Sequence, residues 1–325
     1  MAASDECKLP SDCPVRWAGP AVACLWAAAA AAGPTVSPVP AVPTFPDTTT
    51  APAAEDKKLV EAELLADVTA IRPGGTFRVG VLLRIRAGWH VYWLNPGDAG
   101  LATSVALRLP NGFRAGELRW PAPATFGQPG GIVGYGYEKS VLLWAQVAAP
   151  KTAEPGRSVE LRADVAWLAC KENCIPGEAN VGLRLPVAKA SRPAHAELFD
   201  RWRKRTPVPA GRSPLVASVR TTGRIPPGKK SGTFTVELAW TTPPRKVDCY
   251  PAARDDLLVE NLSARTDRRR THVALTVTPL VESKPAATAL RIVAVYVDKK
   301  GSRHPVAVTL PLRKPDTQRN KRSKP

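Results

Sequence analysis

Methionine is almost missing from this sequence: Met1 is the only one, and histidine occurs four times. A Met-rich or His-rich metal store is therefore excluded, because its ligands must recur to hold several ions. Long hydrophobic runs are also scarce. Only the stretch near Trp17–Gly33 approaches the roughly 20 residues of a membrane helix, which excludes a polytopic membrane protein. Acidic residues are few, 28 against 46 Lys and Arg, and leave a formal net charge of +18. The basic excess is dispersed except around Arg201–Arg205, Arg268–Arg270 and the Arg313–Lys324 tail. No basic recognition helix or aromatic-basic platform accompanies those clusters, so no nucleic-acid partner is expected.

Glycine and proline, by contrast, are plentiful at 23 and 34 residues, too many for a helical bundle and typical of a loop-rich β protein. A chain of 325 residues that is 44% hydrophobic can build cores for about two domains. Residues 1–33 end in a small apolar run with several A-x-A sites and are read as a signal peptide or an uncleaved N-terminal anchor. Residues 34–56 are a Pro/Thr-rich linker. Period-two alternation then begins. Phe77, Val79 and Val81 share one strand face, as do Val141 and Leu143. Val159, Leu161, Ala163, Val165 and Trp167 do so strictly, and so do Val181, Leu183 and Leu185. This predicts a first antiparallel β domain over 57–188.

Residues 189–213 form a helical linker, with a helix near 193–205 capped by Ser191 and an apolar stripe of Ala196, Leu198, Phe199 and Trp202. Alternation resumes at Phe234, Val236, Leu238 and Trp240, at Val273, Leu275 and Val277, and through Ile292–Val297. It predicts a second β domain over 214–312, followed by a basic tail over 313–325. The fold expected is all-β, two antiparallel sandwiches joined by a short helical linker.

Of six cysteines, Cys7, Cys13 and Cys24 lie in or before the apolar N-terminal run, leaving Cys170, Cys174 and Cys249. Cys170 ends one alternating strand, and Cys174 precedes Ile175-Pro176-Gly177 on the way to the next. Across the mouth of a hairpin, two such residues can lie within disulfide reach. From spacing alone three readings stand: reversible thiol–disulfide exchange, a structural bridge, and metal binding by two soft thiolates. A short loop closed by a bridge contributes little chain entropy, which favours exchange. The three-residue spacing differs from the two residues of a thioredoxin motif. Cys249, in an apolar-flanked stretch of the second domain, is expected to be a buried free thiol.

Four blocks carry a more specific signal. They are Gly88-Trp89-His90-Val91-Tyr92-Trp93-Leu94-Asn95-Pro96-Gly97-Asp98-Ala99-Gly100, Arg119-Trp120-Pro121-Ala122-Pro123, Gly134-Tyr135-Gly136-Tyr137-Glu138, and Trp167-Leu168-Ala169-Cys170-Lys171-Glu172-Asn173-Cys174-Ile175-Pro176. In this order, across 58–187, they resemble the N-terminal periplasmic region of DsbD-type thiol:disulfide interchange proteins, especially the ScsB-like branch. The resemblance implies an immunoglobulin-like β domain. Its Cys170/Cys174 pair would receive electrons from a membrane-embedded DsbD-like donor and pass them to oxidised periplasmic proteins, a protein-disulfide reductase type of exchange. The donor is expected in trans, since this chain carries neither a multi-span domain nor a thioredoxin domain. Which cysteine leads is left open.

Supporting residues are weighed beside the pair. Asp98 is first a turn residue, alternatively a tuner of the thiol. His90, at a strand end, is first structural. Tyr135 and Tyr137, read as lying in a Gly-rich loop, are either shields for the sulfurs or ordinary packing aromatics. Trp89, Trp93, Trp120 and Trp167 are read as core. No cofactor and no metal site is expected. The competing functions are a non-catalytic β module with a structural disulfide and a Cu(I)-binding protein, the latter short of Met ligands and of a His adjacent to the pair. The location expected is periplasmic or otherwise exported.

Overall fold

The computed structural model describes residues 58–127, 129–226, 229–252, 256–280 and 289–312. The expected signal or anchor, the 34–56 linker and the 313–325 tail lie outside them. No helix among the described residues is long and apolar enough to cross a membrane.

The first ten strands, in chain order, are β1 (Val60–Ala66), β2 (Thr76–Ile85), β3 (His90–Gly97), β4 (Ser104–Arg108), β5 (Arg114–Ala115), β6 (Ala124–Gly127), β7 (Val133–Glu138), β8 (Ser140–Ala148), β9 (Ser158–Cys170) and β10 (Cys174–Pro186). They form two antiparallel sheets. One runs β1-β2-β8-β5; the other runs β10-β9-β3-β7-β6, with β4 joining β9. Strand side chains alternate between faces, so the period-two residues of both sheets meet in one core. Val79, Val81, Leu83, Val141 and Leu143 enter it from the first sheet, and Val91, Leu161, Ala163 and Val165 from the second, each at most 2% exposed.

Helix α1 spans Ala196–Arg205 and buries Phe199 and Trp202. It is tied to the first sheet by Arg78–Asp200 at 3.1 Å and by Trp144 Nε1 donating to Thr206 Oγ1 at 3.3 Å. Arg203, Lys204 and Arg205 in its last turn complement the negative end of the helix dipole. Ser191 is not the N-cap. His195 takes that position at φ 49°, with no side-chain cap bond, while the Ser191 hydroxyl accepts from the Ala70 amide at 3.2 Å. The hydroxyl is drawn to an amide in the bend between β1 and β2 that needs a partner.

Eight strands follow: β11 (Val208–Pro209), β12 (Val216–Gly223), β13 (Gly232–Trp240), β14 (Lys246–Ala252), β15 (Leu257–Asp267), β16 (Arg270–Pro279), β17 (Ala289–Val297) and β18 (Arg303–Pro311). They make sheets ordered β11-β18-β17-β14 and β12-β13-β16-β15. The two-residue β11 runs parallel to β18, a departure from the fully antiparallel expectation. The second core gathers Phe234, Val236, Leu238, Val273, Leu275, Val277, Ile292, Ala294 and Val308. β17 serves both cores. Ile292, Ala294 and Tyr296 face the second core, while Val293 and Val295 join the first, which explains why Ile292–Val297 is a continuous apolar run.

Tyr250 of β14 also belongs to the first core. Its ring meets Tyr135 at 5.2 Å and Trp93 at 6.2 Å, both edge-on. Asn95 Nδ2 donates to Pro251 O at 2.8 Å, and Arg303 donates to Pro123 O at 2.6 Å and to the Tyr250 hydroxyl at 3.3 Å. The residues that reach across, Trp93 and Asn95, lie where the β3–β7 register breaks between Tyr92 and Gly97. A break of this kind frees several residues to leave the ladder and re-aims their side chains.

Candidate functional site

The site stands at the tip of the β9–β10 hairpin. The two strands pair residue for residue from Ser158↔Pro186 to Cys170↔Cys174. Lys171, Glu172 and Asn173 form the turn, closed by the Lys171 amide donating to Asn173 O at 3.1 Å. Facing cysteines at the last rung of a ladder are brought close by the strand pairing itself. Here they are disulfide-bonded, with Cα atoms 4.1 Å apart, near the ~4.5 Å of the closer facing pairs in an antiparallel ladder. The two sulfur-bearing residues differ sharply in exposure: Cys170 is buried at 2%, and Cys174 is exposed.

β3 and β7 build the surroundings. His90 is the register partner of both Cys170 and Glu138, so Cys170, His90 and Glu138 form one rung across three strands, on one face of the sheet. Tyr92, two residues on, shares that face, and its hydroxyl lies 4.0 Å from Cys174 Sγ. The His90 ring stacks on Phe126 of β6 at 4.6 Å and meets Tyr92 edge-on at 5.2 Å. His90 is 7% exposed, and its Nε2 has no hydrogen-bond partner. Burial lowers its pKa from the usual 6.5, against the opposing pull of the Glu138 carboxylate.

The loop after β3 covers this cluster. Thr103 Oγ1 donates to Tyr92 O at 2.7 Å. Gly100, at φ +105°, lies against the Tyr92 ring, and a Cβ there would collide with it. Asp98 ties the loop to β7: its carboxylate accepts from the Val133 amide at 2.8 Å while its own amide donates to Val133 O at 2.9 Å. Leu101, Ile132 and Ile175 are 66%, 36% and 46% exposed. They adjoin, respectively, Gly100, the Asp98-bonded Val133, and Cys174.

The structure thus brings His90 to the Cys170–Cys174 pair and gives Asp98 the loop-shaping task of a turn residue. Tyr135 and Tyr137 stand elsewhere. Both lie in strand β7 rather than in a loop, and Tyr137 pairs with the core residue Val91, on the face opposite His90. Its buried hydroxyl donates to Pro121 O at 2.7 Å, and burial raises its pKa well above 10. The Tyr135 ring abuts Tyr250. Of the two readings, shield for the sulfurs or packing aromatic, their contacts fit packing, because β7 turns both away from the face that carries Cys170 and His90. Tyr92 stands beside the Cys174 sulfur instead, and Phe126 covers the His90 ring. Tyr92 was legible, since it follows His90 by two; Phe126, on a four-residue edge strand, left no signal. Trp93 is buried, whereas Trp89, Trp120 and Trp167 are half-buried against the first core. Cys249 is free and buried, its thiol pushed up to about 12 by burial. Among the described residues, no three His, Cys, Asp or Glu side chains converge as a metal site would require.

Residues 56–186 match the protein-family model described as "Thiol:disulfide interchange protein DsbD, N-terminal". No curated protein matches the chain. Among solved structures it is similar to the N-terminal periplasmic domain of ScsB from Proteus mirabilis, at 18% identity and TM-score 0.55, covering 80% of this chain and 96% of that one. This likeness shows the fold across both β units. A protein of unknown function from Porphyromonas gingivalis W83 also aligns, at 12% identity and TM-score 0.21, over 78% of this chain and all of that one, too weakly to support an argument.

Proposed function

From the match of residues 56–186 to the DsbD N-terminal family model, we propose that this protein is an exported thiol–disulfide exchange protein in which Cys174 is the attacked sulfur and Cys170 the resolving one. The observation that carries this is the asymmetry of the pair: Cys174 is exposed beside the Tyr92 hydroxyl, and Cys170 is 2% exposed behind it. Exchange requires a thiolate to approach one sulfur in line with the S–S bond, and only Cys174 offers that approach. A bridge closing five residues in a hairpin already paired throughout adds only about 2 kcal/mol by loop entropy. Such a bond contributes modestly to folding and is well placed for chemistry.

Both β units are read as immunoglobulin-like sandwiches, a reading supported by paired antiparallel sheets around each core and by the likeness to ScsB. The partners expected are a membrane-embedded DsbD-type donor and oxidised exported proteins, and the compartment is the periplasm, where the ScsB domain resides. Leu101, 66% exposed and next to the Gly100 that lies against the Tyr92 ring, offers a partner an apolar contact in the loop over the site. The test uses single variants reduced and then mixed with oxidised glutathione. Cys170→Ser is expected to accumulate a mixed disulfide at Cys174 at least tenfold faster than Cys174→Ser does at Cys170. Equal rates would remove the assignment of roles.

A further inference from the structure

Three strands set a disulfide sulfur, an imidazole and a carboxylate side by side: Cys170 of β9, His90 of β3 and Glu138 of β7 are consecutive register partners on one sheet face. Neighbours in such a rung stand about 4.5–5.5 Å apart at Cα. Trp93 Nε1 and His90 Nε2 are the two buried side-chain polar atoms without a hydrogen-bond partner among the described residues, and only the second can gain or lose a proton near pH 7. A buried polar atom without a partner is costly and calls for a reason. We propose that His90 is the proton partner of Cys170: when Cys170 leaves as a thiolate, the imidazole takes up a proton and remains beside it as the counter-charge, with Glu138 on its other side. This rests on the exchange reading above.

The step balances as follows. One thiolate of a reduced dithiol partner bonds to Cys174 Sγ; the Cys170–Cys174 bond breaks, and its electron pair stays on Cys170 Sγ. The partner's second thiolate then bonds to the partner's first sulfur, and Cys174 leaves. The partner is oxidised by two electrons and has released its two thiol protons to solvent. The pair is reduced by two, and of two protons taken back from solvent, one goes to Cys174 Sγ and one to the His90 imidazole. Without that proton the nascent thiolate would sit buried and unpaired, the most expensive state for a charge.

The groups facing His90 are few. Cys170 flanks it on β9, Glu138 on β7 and Tyr92 on its own strand, while β6 contributes only the Phe126 ring. Lys171 and Glu172, in the hairpin turn, lie 3.9 Å apart and largely offset each other. With the disulfide intact, burial disfavours the imidazolium. A new negative charge on Cys170 reverses that balance.

The experiment is a pH titration of the histidine ring signals of the full chain by NMR, oxidised and then reduced with excess dithiothreitol, with His90 identified by the signal lost in His90→Phe. The expected result is a rise in the His90 pKa of at least one unit on reduction, a tenfold gain in proton affinity. His195, His272 and His304 should not move. Glu138→Gln, an exposed change, should shrink the rise. A His90 that titrates identically in both states overturns the proposal while leaving the exchange reading in place. If dithiothreitol fails to reduce the pair in the folded protein, both fall.

Discussion

Tyr250 offers the most exacting check on how the two β units are joined, because it belongs to the second by sequence and to the first by packing. Its ring is 2% exposed, lodged against Tyr135 and Trp93. Its hydroxyl accepts from Thr125 Oγ1 and from Arg303, each at 3.3 Å. Truncating a buried aromatic to alanine costs about 3–5 kcal/mol through lost transfer energy and the cavity left behind. Two hydrogen bonds at the long end of the range add about 0.5–1.5 kcal/mol each at most. Tyr250→Phe should therefore lose roughly 1 kcal/mol, and Tyr250→Ala roughly 4 kcal/mol or more. At about 2–4 °C per kcal/mol for a body of this size, the alanine variant should melt roughly 8–16 °C lower. The assay is urea unfolding of wild type and both variants, followed by hydrogen exchange of the β3 and β7 amides. Those amides should lose protection in Tyr250→Ala although the mutation lies in the other unit. A variant within about 0.5 kcal/mol of wild type, or one that loosens only β12–β18, would refute the reasoning.

Three other outcomes follow from single residues. Cys249, buried with its thiol pushed up to about 12, has almost no thiolate at pH 8; a bulky thiol reagent should modify Cys174 of the reduced protein at least tenfold faster, as read by peptide mass spectrometry. His90 has a folded pKa below its unfolded 6.5, so the unfolded chain takes its proton first. Stability of the oxidised protein should accordingly be level above pH 6.5 and fall as pH drops below it, by up to 1.4 kcal/mol per unit; His90→Phe should flatten that limb, and the lowered carboxylates Asp164, Asp200 and Asp298 act only near and below 3.8. Gly100→Ala should cost about 1–3 kcal/mol in urea unfolding, because it places a side chain at φ +105° against Tyr92, and it should speed reduction of the bond by dithiothreitol as the loop lifts.

Much of this was legible where one face of a strand is buried and the other is wet. Val159–Trp167 alternates because β9 fronts the first core on one side only, and Phe234–Trp240 does the same for the second. The hairpin tip with its cysteines followed from Cys170 ending the one run and Ile175-Pro176-Gly177 leading into the next. Short edge strands such as β4, β5 and β6 left no trace, since two to five residues do not establish a period. Tyr135 and Tyr137 misled because glycines beside them suggest a loop. Gly136 in fact lies in β7, where a Cβ would strike the Val91 carbonyl, so it marks a close strand contact rather than a turn. Alternation also says that Tyr250 is inward but not which core it enters. That depends on a break in β3 that no local pattern announces.

The central claim is that the Cys170–Cys174 bond exists to be exchanged. Its most direct measurement is the reduction potential of the pair in the full chain, obtained by equilibrating the folded protein in dithiol redox buffers and scoring the peptide that spans both cysteines. Structural disulfides of exported proteins lie below about −300 mV. The exposed sulfur and the short hairpin loop predict a potential above that value, with reduction reversible and the fold retained. A potential well below −300 mV, or reduction only when the hairpin unfolds, would make the bond a structural bridge and contradict the account.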